Sequence, residues 1–374
     1  MTGIRRALAG CLGALLAAGS VHAQAEQATR LPPASIVRIE SAIGAYMAAN
    51  HVPGLSVAIV IDGRPGWSRG FGLADVENAV PATASTAYRS ASIGKTMTAT
   101  AAMRLVEAGR LDLDADIRRY CPAFPVKPWT ITVRHLLSHQ SGIRHYGGPR
   151  DREEQASTVH YADVVDAMAP FKDDALLFQP GTRFGYSTYG YDVLGCVLQG
   201  AAGAPFLDVM RTQVWQRAGM RATRDDDPAA LIDRRAAGYV LVDGAVRNAP
   251  HVDMSNRMPA GGYLTTVDDL ARFEAAVLDG TLIQPATLQR MLAPSVLADG
   301  TPVPYGIGWG IELEPWHDDT WAFHGGSSPG ASGMVALMPR HRFGVAILSN
   351  LEDLPGRNEL VETITRIALG FDRA

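Results

Sequence analysis

Strand-like and helix-like patterns are segregated along this chain of 374 residues, and that segregation limits the folds available to it. Residues 55–61 form a β-branched, apolar run, and Asp62-Gly63 is typical of a tight hairpin turn into a second strand at 67–72. Strand patterns then return only near the other end, at residues 306–313, 320–323, 333–338 and 343–349. Strands from the two ends can pair in one antiparallel sheet.

Helical periodicity precedes the first strand, at residues 36–47, and closes the chain at 359–369. Between the strand regions it dominates, at residues 93–108, 159–168, 189–199, 206–215 and from Thr266, which has Asp269 as a capping-box partner. We therefore predict an α/β (α+β) fold, with an antiparallel sheet flanked by terminal helices and a mostly helical lobe inserted. A cleft between lobe and sheet edge is the natural place for a site.

The N-terminus has the organisation of a secretory signal. Arg5 and Arg6 precede an apolar run at residues 7–18, and Val21-His22-Ala23 provides a cleavage site of small residues. We predict a signal peptide at 1–23, one further domain at 24–374, and a periplasmic or secreted protein. The alternative is a lipoprotein box ending at Cys11, but only about four apolar residues precede that cysteine, fewer than a signal needs. No later segment is apolar for long enough to predict a transmembrane helix.

Charge and cysteine content narrow the choice of function. The net charge of −4 and pI near 6.2 provide no basic surface for nucleic acid, so we expect a small-molecule or peptide substrate and leave the oligomeric state open. Signal cleavage would leave Cys121 and Cys196. Cys196 lies in an apolar helical pattern, which favours a buried free thiol, while an oxidising compartment would also allow the two to pair.

Ser92-Ile93-Gly94-Lys95 stands at the start of a predicted helix. Positions i and i+3 share a helix face, so the hydroxyl and the amine can meet there. A serine hydroxyl is a weak nucleophile unless a neighbouring base takes its proton, and a lysine kept neutral by burial can be that base. With three lysines in the chain, such a pair would arise by chance about 0.14 times, so the motif needs support from elsewhere.

Two further positions support it. Tyr186 follows Pro180-Gly181-Thr182 at a loop-to-helix junction, and His324-Gly325-Gly326 follows a strand pattern. Glycines at the end of a strand let a ligand approach the backbone closely. Taken singly, a tyrosine such as Tyr186 is more often a core aromatic, and His324-Gly325-Gly326 is more often a simple turn.

In order and context, these motifs resemble those of the serine β-lactamase and penicillin-binding-protein-like family, class C branch, which uses Ser-x-x-Lys, Tyr-x-Asn and Lys/His-x-Gly. The resemblance covers nearly all of the chain after the signal and looks strongest to the family's mitochondrial members, which also have Tyr-Ser-Thr and His-x-Gly. It includes three longer stretches: LLSHQSGIRHY from Leu136, FQPGTRFGYSTYGY from Phe178 and PAGGYLTTVDDLARF from Pro259.

The resemblance implies the β-lactamase/transpeptidase-like fold and an acyl-enzyme mechanism without a cofactor. Ser92 matches the family nucleophile, Lys95 its base, and Tyr186 the residue that shuttles a proton to the leaving group. The backbone N–H groups of Ser92 and Ser327 would form the oxyanion hole, beside Gly326.

Two departures from the family pattern bear on the substrate. Thr188 replaces the usual asparagine, which removes a side-chain amide from the site. His324 replaces the lysine of many lactamases, and a histidine that is only partly charged near neutral pH is a weaker anchor for a substrate carboxylate. Together they favour a peptidase, amidase or esterase over a dedicated β-lactamase. The alternative is a catalytically weak scaffold, or a penicillin sensor that acylates without turnover.

Three other motifs in the sequence lack a residue that their usual function requires. Gly94-Lys95-Thr96 lacks the earlier glycine of a phosphate-binding loop, because Arg89 stands there. In Gly326-Ser327-Ser328-Pro329-Gly330, a proline follows the candidate nucleophile and cannot donate to an oxyanion. His135 and His139 have a zinc-like spacing without the glutamate of a zinc hydrolase, so we predict no metal. The acidic run at 225–227 is expected to be a solvated loop.

Overall fold

The fold is described from a computed structural model that covers residues 30–147, 151–313 and 316–371. The predicted signal peptide at 1–23 lies outside the described residues. The strands are β1 (Gly54–Ile61), β2 (Arg64–Asp75), β3 (Val80–Pro81), β4 (Tyr88–Arg89), β5 (Arg224–Asp225), β6 (Tyr239–Val242), β7 (Ala245–Asn248), β8 (Tyr263–Thr265), β9 (Ser295–Val296), β10 (Pro302–Val303), β11 (Gly310–Ile311), β12 (Ala322–Ser328), β13 (Ala331–Met338) and β14 (Phe343–Ser349).

Ten α-helices accompany these strands in the described part of the chain: α1 (Pro33–Ala49), α2 (Gly94–Glu107), α3 (Val133–Leu137), α4 (Asp151–Gln155), α5 (Thr188–Ala202), α6 (Phe206–Met210), α7 (Met258–Gly261), α8 (Val267–Leu278), α9 (Pro285–Met291) and α10 (Arg357–Leu369). A 3-10 turn at Ala91–Ile93 leads into α2, and a π-helical turn at Arg211–Trp215 continues α6.

A seven-stranded antiparallel sheet joins the two ends of the chain, as predicted. Its order is β11-β12-β13-β14-β1-β2-β3, so β1 from the first part of the chain pairs with β14 from the last. Asp62 and Gly63 make the β1–β2 turn with φ values of 54° and 71°, a left-handed conformation that favours Asp and Gly. A small sheet of β4, β8 and β5 connects the lobe to the segment before Ser92.

The large sheet separates two hydrophobic cores. On β1, Val57 and Ile59 pack toward the terminal helices α1 and α10, whereas Ala58 and Val60 pack toward the helical lobe. A strand buried on both faces needs apolar residues at every position. This explains why residues 55–61 read as a continuous apolar run rather than an alternating one.

Two secondary-structure predictions were wrong. Only Asp166–Met168 of the predicted helix at 159–168 is helical, as a 3-10 turn. The chain before it pairs with another segment instead: Tyr161 N–H donates to Ser255 Oγ at 2.8 Å. The predicted strand at 306–313 is reduced to β11, because Gly308 adopts φ 79° and its N–H turns to Leu137 of the lobe.

The two cysteines form a disulfide, which corrects the expectation of a free buried thiol. Cys121 and Cys196 are joined across a sequence separation of 75, although both are buried among apolar side chains. The helical pattern around Cys196 was a valid indication of burial. It carried no information on which loop would pass beside it.

Asp192 is a fully buried carboxyl on α5, four residues after Thr188 and hence on the same helix face. Burial raises the pKa of Asp192 to about 8, although the positive charges of Lys95 and Arg257 oppose that shift. The carboxyl is therefore protonated in the folded protein across the acidic and neutral range, while in the unfolded chain it ionises near its ordinary pKa of 3.8.

In the described part of the chain, no single helix is long and apolar enough to span a membrane. Only α5 and α6 with its π-helical turn, bent by 77° at the break between them, meet that length and composition together.

Replacing both Cys121 and Cys196 by alanine should lower the free energy of unfolding by roughly 3–5 kcal/mol, because the cross-link restricts the unfolded chain over a long loop. Urea unfolding of the oxidised protein and of the variant measures the difference. Two reactive thiols in the denatured, unreduced protein would contradict the pairing.

Asp192→Asn should alter how stability depends on pH. Because the folded pKa of Asp192 exceeds its unfolded value, its contribution is fully present below about pH 3.8 and is lost as pH rises toward 8. An asparagine does not ionise. Relative to the variant, the wild type should therefore lose about 1.4 kcal/mol per pH unit between about pH 5 and 7. Urea unfolding at several pH values tests this, and parallel pH curves would contradict it.

Candidate active site

Ser92 lies in the Ala91–Ile93 turn that leads into α2, with its side chain half-buried. Ala91 has a φ of 46°, a left-handed conformation that costs about 1–2 kcal/mol in a residue with a Cβ. Gly261 packs against it so closely that a Cβ at Gly261 would lie 1.7 Å from the Ala91 carbonyl oxygen. The backbone that presents the serine is thus held by a glycine from α7.

Lys95 is the side chain that Ser92 meets. Its Nζ lies 3.0 Å from Ser92 Oγ, 3.4 Å from Thr188 Oγ1 and 3.1 Å from the Ala260 carbonyl oxygen. Lys95 is fully buried, and no carboxylate oxygen of the described residues lies within salt-bridge distance of it. The amine is therefore oriented only by neutral hydrogen-bonding groups, from the 3-10 turn before α2, from α5 and from α7.

Tyr186 and Thr188 reach the site on a loop that the segment 139–145 supports. The Gly185 and Ser187 N–H groups donate to the carbonyl oxygen and Nδ1 of His139, at 2.8 and 3.1 Å, and Thr188 N–H donates to His145 Nδ1 at 3.2 Å. The Tyr186 ring lies 4.2 Å from the His139 ring and 5.1 Å from Lys95 Nζ. Within the described structure, no hydrogen bond joins Tyr186 Oη to Ser92 or Lys95.

β12 forms the opposite wall. His324-Gly325-Gly326 lies inside this strand rather than at its end, which corrects the sequence-based placement. A Cβ at Gly326 would lie 2.9 Å from both Ser92 N and Ser90 O, so only glycine lets the strand approach the Ser92 segment this closely. The next residue, Ser327, is exposed, and its Oγ donates to Asp353 Oδ1.

His324 does not have the environment of a charged anchor. Its Nδ1 lies 2.7 Å from the Gly325 carbonyl oxygen, and because a carbonyl only accepts, Nδ1 carries the proton. Nε2 then accepts from Tyr305 Oη at 3.0 Å. Burial, and after it the charge of Lys95, lower the pKa of His324 to about 3. The expectation of a partly charged histidine was therefore wrong: His324 is neutral.

These elements enclose a cavity of about 100 Å³. Of the predicted site residues, the structure brings five together around it: Ser92, Lys95, Tyr186, Thr188 and Ser327. Gly326 and His324 are not among its lining residues; the first contacts the backbone at Ser92, and the second faces Tyr305. His145, Tyr146 and Gln155 also line the cavity.

His135 and His139 do not have the helical arrangement that their zinc-like spacing suggested. α3 ends at Leu137, and His139 has a left-handed φ of 56°, so His135 and His139 do not share a helix face. Burial also lowers the pKa of His139 well below its ordinary value. Among the described residues there is no group of three or more potential metal ligands.

Arg89, three residues before Ser92, has a positioning role that the sequence did not reveal. Its guanidinium donates to Asp226 Oδ2 at 2.6 Å and to the Pro329 carbonyl oxygen at 2.7 Å, and so ties the nucleophile segment to the β12–β13 turn. Asp226 is buried, so the prediction of a solvated acidic loop was wrong for that residue. Arg89 and Asp226 line a larger cavity of about 280 Å³, whose lining residues include no Ser–Lys pair.

Known proteins include relatives with similar sequences. The chain is 29% identical to the mouse mitochondrial serine beta-lactamase-like protein LACTB, over 90% of this chain and 79% of that protein. It is 28% identical to penicillin-binding protein 4* of Bacillus subtilis, over 77% of this chain and 66% of that protein.

Solved structures share the fold. The octameric penicillin-binding protein homologue from Pyrococcus abyssi superposes with a TM-score of 0.78 at 25% identity, over 90% of this chain and 77% of that one. A D-amino acid amidase from Ochrobactrum anthropi superposes with a TM-score of 0.74 at 24% identity, over 90% and 100% of the two chains.

The Beta-lactamase family model matches residues 39–369, which include every element that builds the Ser92–Lys95 site. With its antiparallel sheet, its helical lobe and this serine–lysine pair, the chain belongs to the β-lactamase family of serine β-lactamase and penicillin-binding-protein-like proteins.

Proposed function

We propose that the protein is a serine hydrolase that cleaves an amide or ester bond of a small or peptide-like substrate through an acyl-enzyme on Ser92. The observation that carries this proposal is the 3.0 Å contact between Ser92 Oγ and the Nζ of a fully buried lysine. A buried amine with only neutral partners in the described structure is placed to accept the serine proton.

The reaction uses groups already at the site. Ser92 Oγ attacks the substrate carbonyl carbon while its proton passes to Lys95 Nζ, a step that requires the unprotonated amine. The oxyanion that forms is stabilised by backbone N–H groups, for which Ser92 and Ser327 are our candidates. Tyr186 relays a proton to the departing amine or alcohol, and water then hydrolyses the acyl-enzyme.

The leaving group can be an amine or an alcohol, because the chemistry of Ser92 and Lys95 is the same for both. Proteins of this fold include the D-amino acid amidase described above and EstCE1, a hydrolase with promiscuous acyltransferase activity. Neither assigns a substrate to this chain. The cavity of about 100 Å³ accommodates a reacting carbonyl and little more, which is the observation that favours the alternative of a catalytically weak scaffold.

We also propose that the chain is exported, with cleavage after Ala23. The charged and apolar N-terminal segments support a signal peptide. The Cys121–Cys196 disulfide supports an oxidising compartment, in which such a bond persists.

Intact-mass spectrometry tests the acyl-enzyme. The wild type should form a transient adduct with, or turn over, an activated ester, a D-alanyl peptide or a penicillin, and Ser92→Ala should do neither. Lys95→Ala should acylate at least about a hundredfold more slowly, because the serine and lysine act as one unit. The same spectra report whether the mature chain begins at Gln24.

Near-normal turnover in Lys95→Ala would contradict the mechanism. No adduct and no turnover with any of the three reagents would favour the scaffold. An adduct that persists for hours would favour the penicillin-sensing alternative, in which deacylation is lost.

Gly326→Ala should lower the acylation rate at least about tenfold, because its Cβ would meet the Ser90 and Ser92 backbone and displace the nucleophile. Gly325→Ala is the matched control. The three atoms nearest its Cβ would all belong to the guanidinium of Arg357, the end of a flexible side chain that can shift, so most of the activity should remain. Stopped-flow measurements with an activated ester compare the two variants, and equal rates would contradict the close approach of β12.

A further inference from the structure

Two histidines hold the backbone that follows Tyr186. Ser187 N–H donates to His139 Nδ1 at 3.1 Å. The next residue, Thr188, donates its N–H to His145 Nδ1 at 3.2 Å. The two histidines stand six positions apart on one loop, so a single segment binds consecutive N–H groups directly after the tyrosine.

His139 also holds the backbone before Tyr186. Its carbonyl oxygen accepts from Gly185 N–H at 2.8 Å, so the side chain and the main chain of one residue bracket the tyrosine. His139 makes these bonds from a left-handed φ of 56°, a conformation that is uncommon in residues other than Gly, Asn and Asp. The fold thus keeps a strained backbone at the residue that makes both contacts.

Both imidazole rings also contact the Tyr186 ring. The His139 ring centroid lies 4.2 Å from that of Tyr186, with the planes tilted by 40°. The His145 ring lies 5.4 Å away, edge to face at 89°. Aromatic rings attract each other at such separations and angles. The phenol ring is therefore oriented by the same two histidines that bind the N–H groups of its neighbours.

Each of these hydrogen bonds requires an unprotonated Nδ1, because the backbone N–H is the donor. For His139 the surroundings favour that state. The residue is 1% exposed, and its Nε2 has no hydrogen-bond partner in the part of the chain that the structure describes. The rings of Tyr191 and Tyr305 lie 5.1 and 4.7 Å from it. Burial, and after it the charge of Lys95, lower the pKa of His139 well below its ordinary value.

The reacting groups do not hold Tyr186 themselves. Lys95 Nζ lies 5.1 Å from the centre of the Tyr186 ring, and among the described residues no hydrogen bond joins the Tyr186 hydroxyl to Ser92 or Lys95. A group that must transfer a proton depends on its position, and a displacement of about 1 Å can cost about a hundredfold in rate. The contacts with His139 and His145 therefore decide where the hydroxyl lies.

Resting on the proposed function, we infer that His139 and His145 are positioning residues for Tyr186, and that they extend the activity to esters and amides whose leaving group must be protonated. As the bond from the carbonyl carbon to the leaving oxygen or nitrogen breaks, Tyr186 Oη gives its proton to that atom. Tyr186 regains a proton from Lys95, which took it from Ser92. A nitrophenolate leaves as a stable anion and needs no such proton, whereas an alkoxide or an amide anion does.

Two acetate esters test this inference. 4-Nitrophenyl acetate and ethyl acetate form the same acetyl-enzyme and differ only in the leaving group, so kcat/KM compares their acylation steps. The ratio of the two values is independent of the folded fraction, because the same molecules hydrolyse both esters. His139→Leu and His145→Leu should each raise the ratio of the nitrophenyl to the ethyl ester at least about tenfold, because the hydroxyl is displaced.

The asparagine variants separate positioning from packing. In His139→Asn and His145→Asn, the amide Oδ1 can take the place of the imidazole Nδ1 and accept the same N–H. Asparagine also tolerates the left-handed conformation of residue 139. Both variants should keep the ratio within about threefold of the wild type. Because His145 is only half-buried, its two variants test the inference even if His139→Leu does not fold.

His135→Leu is the matched control. His135 Nδ1 also accepts a backbone N–H, from Thr132 at 3.2 Å, but it does so at the start of α3 and does not line the cavity. Its ratio should equal that of the wild type. Tyr186→Phe removes the hydroxyl and should raise the ratio at least as far as His139→Leu. Adding His139→Leu to Tyr186→Phe should then raise it no further, because no hydroxyl remains to be positioned.

The outcomes separate the two proposals. Wild-type ratios in the leucine variants, or a further rise in the double variant, would overturn the inference and leave the acyl-enzyme intact. So would a wild type that hydrolyses the nitrophenyl ester and not the ethyl ester. Equal rises in the asparagine and leucine variants would overturn the role of the Nδ1 bonds. An unchanged ratio in Tyr186→Phe would overturn the proton relay and the inference with it, and hydrolysis that persists in Ser92→Ala would overturn the proposed function as a whole.

Discussion

The contact between Ser92 Oγ and Lys95 Nζ is the constraint around which the rest of the site is arranged. Burying a lysine costs free energy, and hydrogen bonds to its amine are needed to offset that cost. Here Thr188 Oγ1 and the Ala260 carbonyl oxygen supply the two partners besides the serine. The N-termini of α2 and α5 and the short helix α7 must therefore meet around the Lys95 amine, and the packing of the helical lobe holds them in that position.

The large sheet brings a strand from the last part of the chain to Ser92. β12 belongs to the last part of the chain and Ser92 to the first, and the pairing of β1 with β14 places them in one body. Gly326 then allows the strand to come within contact distance of the Ser92 backbone, and Arg89 ties the same segment to the β12–β13 turn. The site is thus built across a long sequence separation.

The sequence was sufficient to predict those elements whose structure is determined by local residue pattern. The hairpin at Asp62-Gly63 and the antiparallel sheet followed from periodicity and turn chemistry, and the structure confirms them. Thr266 also caps α8 as expected, but Asp269 does not complete the capping box. Its carboxylate accepts instead from the Ala222 and Thr223 N–H groups, both at 2.8 Å. The local pattern identified where the helix begins, but the Asp269 side chain hydrogen-bonds to a segment that is distant in sequence.

The site was predictable in its membership and not in its electrostatics. The i, i+3 spacing was enough to predict the contact between Ser92 and Lys95. The charge of His324 instead depends on its hydrogen bond with Tyr305, which lies outside every motif in the sequence. The same holds for Asp192. Its carboxyl is kept protonated by burial, so it does not compete with the serine as an anionic partner for Lys95. An ionised Asp192 would draw the amine toward an ion pair, whereas a neutral one leaves the serine hydroxyl as its working partner. The hydrophobic packing of α5 thereby contributes to the chemistry of a residue on α2.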